Sequence, residues 1–179
     1  MKFITNEEAY ELFAQYSTPS HVIAHCEAVS DTAVKIAKAL NSKGYNLDIN
    51  LIRSAGLLHD LARVDDDHDE IAANLLRNMG YTKEADIIRK HMKYSTFSPI
   101  NQIDETDVVC LADRICKEDK YVGVDERLEY IFRKNAGFPE RQQIILAKKE
   151  ELKKYISDLE SVIGCSIDKL MENKISSQK

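Results

Sequence analysis

The sequence contains few of the residues that interrupt helices. It has only three prolines and six glycines among 179 residues. Along most of the chain, apolar residues recur every three or four positions, which is the spacing of amphipathic helices. A chain of this length can bury the core of one domain without cross-links. We therefore predict an all-α fold, a single helical bundle with a long C-terminal helix packed on it.

The sequence also lacks closely spaced cysteine pairs. None of its four cysteines forms a CxxC motif, and each falls within a helical pattern: Cys26, Cys110, Cys116 and Cys165. This arrangement is typical of small buried residues in a reducing compartment and argues against a disulfide framework or a zinc knuckle. No stretch approaches the roughly 20 apolar residues of a membrane span. Residues 1–8 lack the apolar core of a signal peptide, so we expect a cytoplasmic protein.

Several common functional patterns are missing as well. The net charge of −5 argues against binding to nucleic acid or to an anionic membrane as the main task. There is no glycine-rich phosphate loop, no dinucleotide fingerprint and no apparent Ser-His-Asp grouping. His21 and His25 have the spacing of the HExxH metalloprotease motif, but the glutamate is absent, which argues against a protease. We expect His21 to be a surface residue.

The spacing of apolar residues predicts several helices and one irregular stretch. One long helix runs from about His21 to Leu40, and a later one covers residues 104–118. A further helix is predicted around residues 127–134, and Pro139 begins the last helix, which runs to about Val162. Residues 93–103 are irregular and are the best candidate for a loop over a site. We predict one domain over residues 1–173, with a frayed tail at 174–179.

Six histidines and aspartates are candidate metal ligands, and all but one adjacent pair come from different predicted helices: His25, His59, Asp60, His68, His91 and Asp113. A bundle can bring such residues to one point between its helices. Nitrogen and oxygen donors without thiolates fit iron, manganese, magnesium, cobalt or nickel, and they do not fit a structural zinc site. The structural alternative is a set of hydrogen-bonded core histidines, helix caps and ion-pair partners. That alternative must explain a carboxylate on the apolar face of the helix that carries Asp113.

The order H…HD…D resembles the HD-domain metal-dependent phosphohydrolases. The resemblance rests on three phrases, His25-Cys26-Glu27-Ala28-Val29, Ala55-Gly56-Leu57-Leu58-His59-Asp60 and Leu111-Ala112-Asp113-Arg114, and spans a metal-site core of roughly residues 20–118. It implies one or two divalent metal ions as cofactors. His25, His59, Asp60 and Asp113 would bind the first ion. His68 and His91 would bind a second ion, with Asp60 as the bridge.

The same resemblance implies a reaction. Water activated by the metal would attack a phosphate ester or anhydride of a small phosphorylated compound, for which we predict a nucleotide. We assign catalytic roles to Asp60 and Arg63, and substrate binding to Arg63 and Arg114, whose guanidinium groups suit phosphate. Arg63 stands where the family usually has lysine.

Alternatives remain open from the sequence. Among subgroups, the symmetrical diadenosine tetraphosphate hydrolases have the nearest layout, including a phrase similar to Gly123-Val124-Asp125-Glu126. The stretch between His91 and Asp113 is longer than theirs and differs in character. A second alternative is a metal-containing nucleotide sensor that does not cleave its ligand, and a third is a purely structural domain. The substrate, the metal and the oligomeric state, with a homodimer as one option, are not decided by the sequence.

Overall fold

A computed structural model describes residues 3–172, and these residues are predominantly helical. Its α-helices are α1 (Asn6–Gln15), α2 (Ser20–Asn41), α3 (Ile49–Leu58), α4 (His68–Asn78), α5 (Thr82–His91), α6 (Glu105–Ile115), α7 (Gly123–Lys134), α8 (Pro139–Ile163) and α9 (Ile167–Glu172). A 3-10 helix covers Ile100–Gln102. Two short antiparallel strands, β1 (Cys116–Lys117) and β2 (Lys120–Tyr121), form a hairpin. The predicted all-α bundle with a long C-terminal helix is confirmed. The predicted tail at 174–179 lies outside the described residues, and the extent of the single domain stays a prediction.

Helix α2 belongs to both hydrophobic clusters of the core. Its first turns, through Val22 and Cys26, pack in one cluster with residues of α1, α3, α4 and α5. From Val29 onwards, its buried residues join a second cluster with α3, α6 and α8. His25 therefore stands where α2 passes from one cluster to the other. Within residues 3–172, none of the helices combines the length and apolar content that a membrane span needs.

A glycine lets α3 approach α2 closely. A Cβ atom on Gly56 would lie 3.0 Å from the Cα of Ser30, which is closer than most Cβ contacts in proteins. The Ser30 hydroxyl donates a hydrogen bond to the carbonyl of Arg53, 2.9 Å away, and this bond ties the two helices at the same level. The end of α3 is thereby held against the N-terminal half of α2. That end carries His59 and Asp60.

The N-termini of α3 and α6 are also joined. Asp48 caps α3 by accepting hydrogen bonds from the backbone of Asn50 and Leu51, and its own backbone N–H donates to Glu105, 2.8 Å away, in the first turn of α6. Asp104 caps α6 through a capping box. Because the two helices start together and have nearly equal length, both lead toward one end of the bundle.

Residues 116–121 form the hairpin, so the predicted helix over 104–118 is too long. Helix α6 ends at Ile115, whose carbonyl accepts a hydrogen bond from the N–H of Val122 (2.9 Å) and closes the hairpin. Helix α7 then begins at Gly123, earlier than the predicted start near Arg127. Two cysteines also depart from their predicted helical setting. Cys116 lies in β1, and Cys165 follows α8 and is only half-buried.

Candidate metal centre

The six candidate ligands reach one region from five elements of the fold. His25 lies on α2 and Asp113 on α6, while His68 is the first residue of α4 and His91 the last of α5. His59 and Asp60 occupy the turns that directly follow α3. Chain turns closed by backbone hydrogen bonds between Leu58 and Leu61, and between Asp60 and Arg63, hold this pair in place.

Two histidines lie beside Asp113 and Asp60 on one side. The Nε2 atom of His25 lies 3.2 Å from Oδ1 of Asp113. The Nε2 atom of His59 lies 3.8 Å from the same oxygen and 3.7 Å from Oδ2 of Asp60. His25, His59 and Asp60 each offer a ligand atom within 4.8 Å of the others, the spacing of a group that can hold a metal ion.

The other carboxylate oxygen of Asp60 faces a second group. Its Oδ1 atom lies 3.1 Å from Nε2 of His68 and 3.4 Å from Nε2 of His91. Asp60, His68 and His91 again offer ligand atoms within 4.8 Å of one another. Asp60 is therefore common to both groups and turns one oxygen toward each.

Backbone carbonyls orient three of the imidazole rings in the same way. The Nδ1–H group of His59 donates to the carbonyl of Gly56 (2.8 Å). That of His91 donates to the carbonyl of Ile88 (2.7 Å), and that of His25 donates to the carbonyl of Glu118 (3.1 Å). Each Nε2 atom then faces the carboxylates. Metal-binding histidines usually donate their other ring N–H to a carbonyl or carboxylate in this way, which fixes the tautomer and the ring angle.

Two of these nitrogens identify the centre as suited to a cation. Nε2 of His59 and Nε2 of His91 are buried and meet carboxylate oxygens only at 3.4–3.8 Å, without the geometry of a hydrogen bond, within the described part of the chain. A buried polar atom without a partner costs about 1–3 kcal/mol. Two carboxylates and four imidazoles, without a thiolate, match divalent ions that prefer nitrogen and oxygen. The neighbouring Cys26 is buried, and burial raises the pKa of its thiol, so it stays protonated. The residues fit a divalent metal.

The charges of the cluster favour the same conclusion. Burial opposes ionisation of Asp60 and Asp113, but the adjacent histidines outweigh it and hold the pKa of each carboxyl well below its usual range. Burial lowers the pKa of His59, which favours the neutral ring that binds metal. Burial also acts on His25 and His91, but their carboxylate neighbours outweigh it and raise both pKa values. Protons therefore compete with a metal ion for these two rings.

The two predicted substrate-binding arginines lie in different surroundings. The Nε atom of Arg63 is 3.5 Å from Oδ2 of Asp60, its Nη1 atom is 3.2 Å from Nδ1 of His68, and 46% of its side chain is exposed. Arg114 donates from Nη1 to the carbonyl of Cys110 (2.7 Å) and from Nη2 to that of Tyr94. None of the six candidate ligands forms a hydrogen bond or ion pair with Arg114. Arg63 therefore borders the metal centre, whereas Arg114 does not contact it.

Some residues around the site were not predicted from the sequence. The carbonyl of Glu118, in the turn of the unpredicted hairpin, supports His25. Gly56 lets α3 approach α2 closely, but in the sequence it stands out only as part of the phrase that ends in His59-Asp60. In the predicted loop over 93–103, the Tyr94 hydroxyl and the Ser98 N–H both donate to Asp107 (2.5 and 2.9 Å). His21 is exposed, as expected of a surface residue.

The comparison with protein families agrees with this geometry. The HD domain model matches residues 22–118, more than half of the chain and all of its candidate ligands. The chain belongs to the HD domain family. HD domain proteins form a superfamily of metal-dependent phosphohydrolases and bind divalent metals.

Two curated relatives extend the comparison. An uncharacterized protein of Methanocaldococcus jannaschii is 29% identical over 148 residues, which cover 73% of this chain and 87% of the relative. The tRNA (cytidine(56)-2'-O)-methyltransferase of Thermoplasma volcanium is 27% identical over 187 aligned positions. That alignment covers 95% of this chain and 51% of the methyltransferase, so the HD protein spans about half the length of that enzyme. No solved structure matches the chain significantly.

Proposed function

We propose that this HD domain protein hydrolyses a phosphate ester or anhydride of a small phosphorylated compound, with a nucleotide as the expected substrate class. The observation that carries the proposal is the position of Asp60 between two groups of ligands, His25 and His59 on one side and His68 and His91 on the other. A divalent metal held by such residues lowers the pKa of coordinated water and polarises a phosphoryl oxygen, and a pair of metals can clamp the attacking and leaving oxygens.

The chain's own residues would position the reactants. The carbonyl-bound imidazoles keep their Nε2 atoms directed at the carboxylates, so the donor set is formed before any ligand arrives. The half-exposed Arg63 places guanidinium donors at the edge of Asp60, where they can reach a phosphate group. Arg63 is therefore the arginine that we assign to substrate. Neither a serine nor a cysteine nucleophile is required.

The test is a hydrolysis panel on metal-reconstituted protein. Protein is purified anaerobically and loaded separately with Mn²⁺, Mg²⁺, Fe²⁺, Co²⁺ or Ni²⁺. Each form is then incubated with nucleoside mono-, di- and triphosphates and with diadenosine tetraphosphate. We expect product with at least one metal and substrate. Release of the diphosphate alone from diadenosine tetraphosphate, with little turnover of monophosphates, would narrow the activity to symmetrical cleavage of that compound.

Two variants make the panel interpretable. Asp60→Asn keeps the size of the side chain and should abolish turnover. Arg63→Met keeps much of the aliphatic stem and removes the charge, so it should raise KM while metal content stays unchanged. Tight nucleotide binding without product under every metal would contradict the proposal and favour a sensor. A protein that binds no metal and loses no stability in chelator would favour a structural domain.

A further inference from the structure

A cavity of about 710 Å³ is lined by residues 94–97, by Arg114 on α6, and by residues of α7 and α8. None of the six candidate metal ligands lines it. Its volume falls within the range of small-molecule binding sites. The chemistry of its walls indicates the class of molecule that fits.

Aromatic and aliphatic side chains make up much of the wall. The rings of Phe97 and Tyr155 stack with centroids 4.6 Å apart, and Tyr94 meets Phe97 edge-on at 5.4 Å. Ile145 and Leu152 add aliphatic surface from α8. Walls of this kind favour a flat apolar or aromatic body, which can pack against both ring faces and methyl groups.

The charged residues of the wall are mainly cationic. Three cations, Arg114, Arg141 and Lys148, line the cavity together with one acid, Glu151. Lys148 is exposed and makes no ion pair with the residues that the structure describes. The guanidinium of Arg114 lies 5.5 Å from the centre of the Phe97 ring, so a positive charge borders the aromatic wall. An anionic group on the ligand would complement these charges.

From the aromatic wall and the surplus of cations, we propose that this cavity binds a small molecule with a flat apolar body and an anionic group. None of the candidate metal ligands belongs to this site. The shared chemistry covers aromatic carboxylates, sulfonates and phosphates.

Two fluorescent probes of similar size test the proposal on the full chain. The first, 8-anilinonaphthalene-1-sulfonate, has an aromatic body and an anion, whereas N-phenyl-1-naphthylamine has the aromatic body alone. We expect saturable binding of the sulfonate to the wild-type protein. Lys148→Glu should weaken sulfonate binding by about 10-fold or more, because it replaces an attraction by a repulsion. The same change should alter binding of the neutral probe by less than about 2-fold.

Lys154→Glu is the matched control, because Lys154 lies on the same helix, does not line the cavity and pairs with Asp158 on the surface. It should leave binding of both probes unchanged. Ile145→Trp fills the cavity and should remove binding of both probes. If that variant does not fold, the comparison of Lys148→Glu with Lys154→Glu decides alone. No binding of the sulfonate, or equal loss in the two lysine variants, would overturn the proposal.

Discussion

Asp60→Asn should disable both halves of the metal centre at once. Asp60 turns Oδ1 toward His68 and His91 and Oδ2 toward His59, and it is the only member common to the two groups among the described residues. The amide keeps the shape of the side chain but removes its negative charge. Each group is then left with imidazoles and a neutral amide. The effect on metal binding should therefore exceed that of losing any single histidine.

The magnitude follows from the arrangement of ligands. Loss of an outer-shell partner of a metal ligand typically lowers metal affinity by about 10–100-fold. Loss of a ligand that serves two ions should lower the affinity of each by at least about 100-fold. We expect about two metal equivalents in the wild-type protein, about one in His25→Ala or His68→Ala, and almost none in Asp60→Asn at the same free metal concentration.

The assay is equilibrium dialysis against Mn²⁺ or Co²⁺, followed by elemental analysis of the protein. Circular dichroism shows whether each variant is folded. Glu84→Gln is the control, because Glu84 is also a buried carboxylate, accepts a hydrogen bond from Ser54 (3.1 Å) and belongs to neither ligand group. It should retain both equivalents. Folded Asp60→Asn protein that still binds either ion with wild-type affinity would refute the bridging arrangement.

Three further predictions concern packing, thiols and pH. Gly56→Ala should lower the free energy of unfolding by about 1–3 kcal/mol in urea denaturation, because its Cβ would lie 3.0 Å from the α2 backbone. Gly137→Ala should not lower it, because a Cβ atom there would meet nothing within 4 Å. Cys165 should react first with a thiol reagent in the native protein, since the other three thiols are buried; equal rates for all four would contradict this. Metal affinity should fall as the pH is lowered, because the raised pKa values of His25 and His91 let protons compete with a metal for both rings. Calorimetry in buffers of different ionisation enthalpy should show proton release on binding, and an affinity that does not change with pH across the histidine range would contradict the assignment.

Helical periodicity predicted the parts of the site that lie on regular helices. The predicted helices over about His21 to Leu40 and over residues 104–118 carry His25 and Asp113, and both side chains reach the cluster. The phrase ending in His59-Asp60 singled out a pair that directly follows the end of α3. These features depend on local pattern, which a sequence displays directly.

The features that the sequence did not predict depend on contacts between distant segments. The hairpin over 116–121 is closed by a bond between Ile115 and Val122, and its turn residue Glu118 accepts the Nδ1–H bond of His25 from 93 residues away. Arg114 follows a predicted ligand in the chain, yet its guanidinium is bound to two carbonyls beside the separate cavity. Adjacency in sequence does not fix the surroundings of a side chain, because neighbouring residues on a helix face different directions.

If the HD site hydrolyses phosphate compounds, turnover should require its shared ligand, Asp60. Phosphate or nucleotide release is measured for anaerobically metal-loaded wild-type and Asp60→Asn protein, with metal content determined on the same samples. We expect turnover by the wild-type protein, its loss in chelator and its return on adding metal, with no turnover by Asp60→Asn. Equal turnover by both proteins, or turnover by the wild-type protein that persists in chelator, would contradict it.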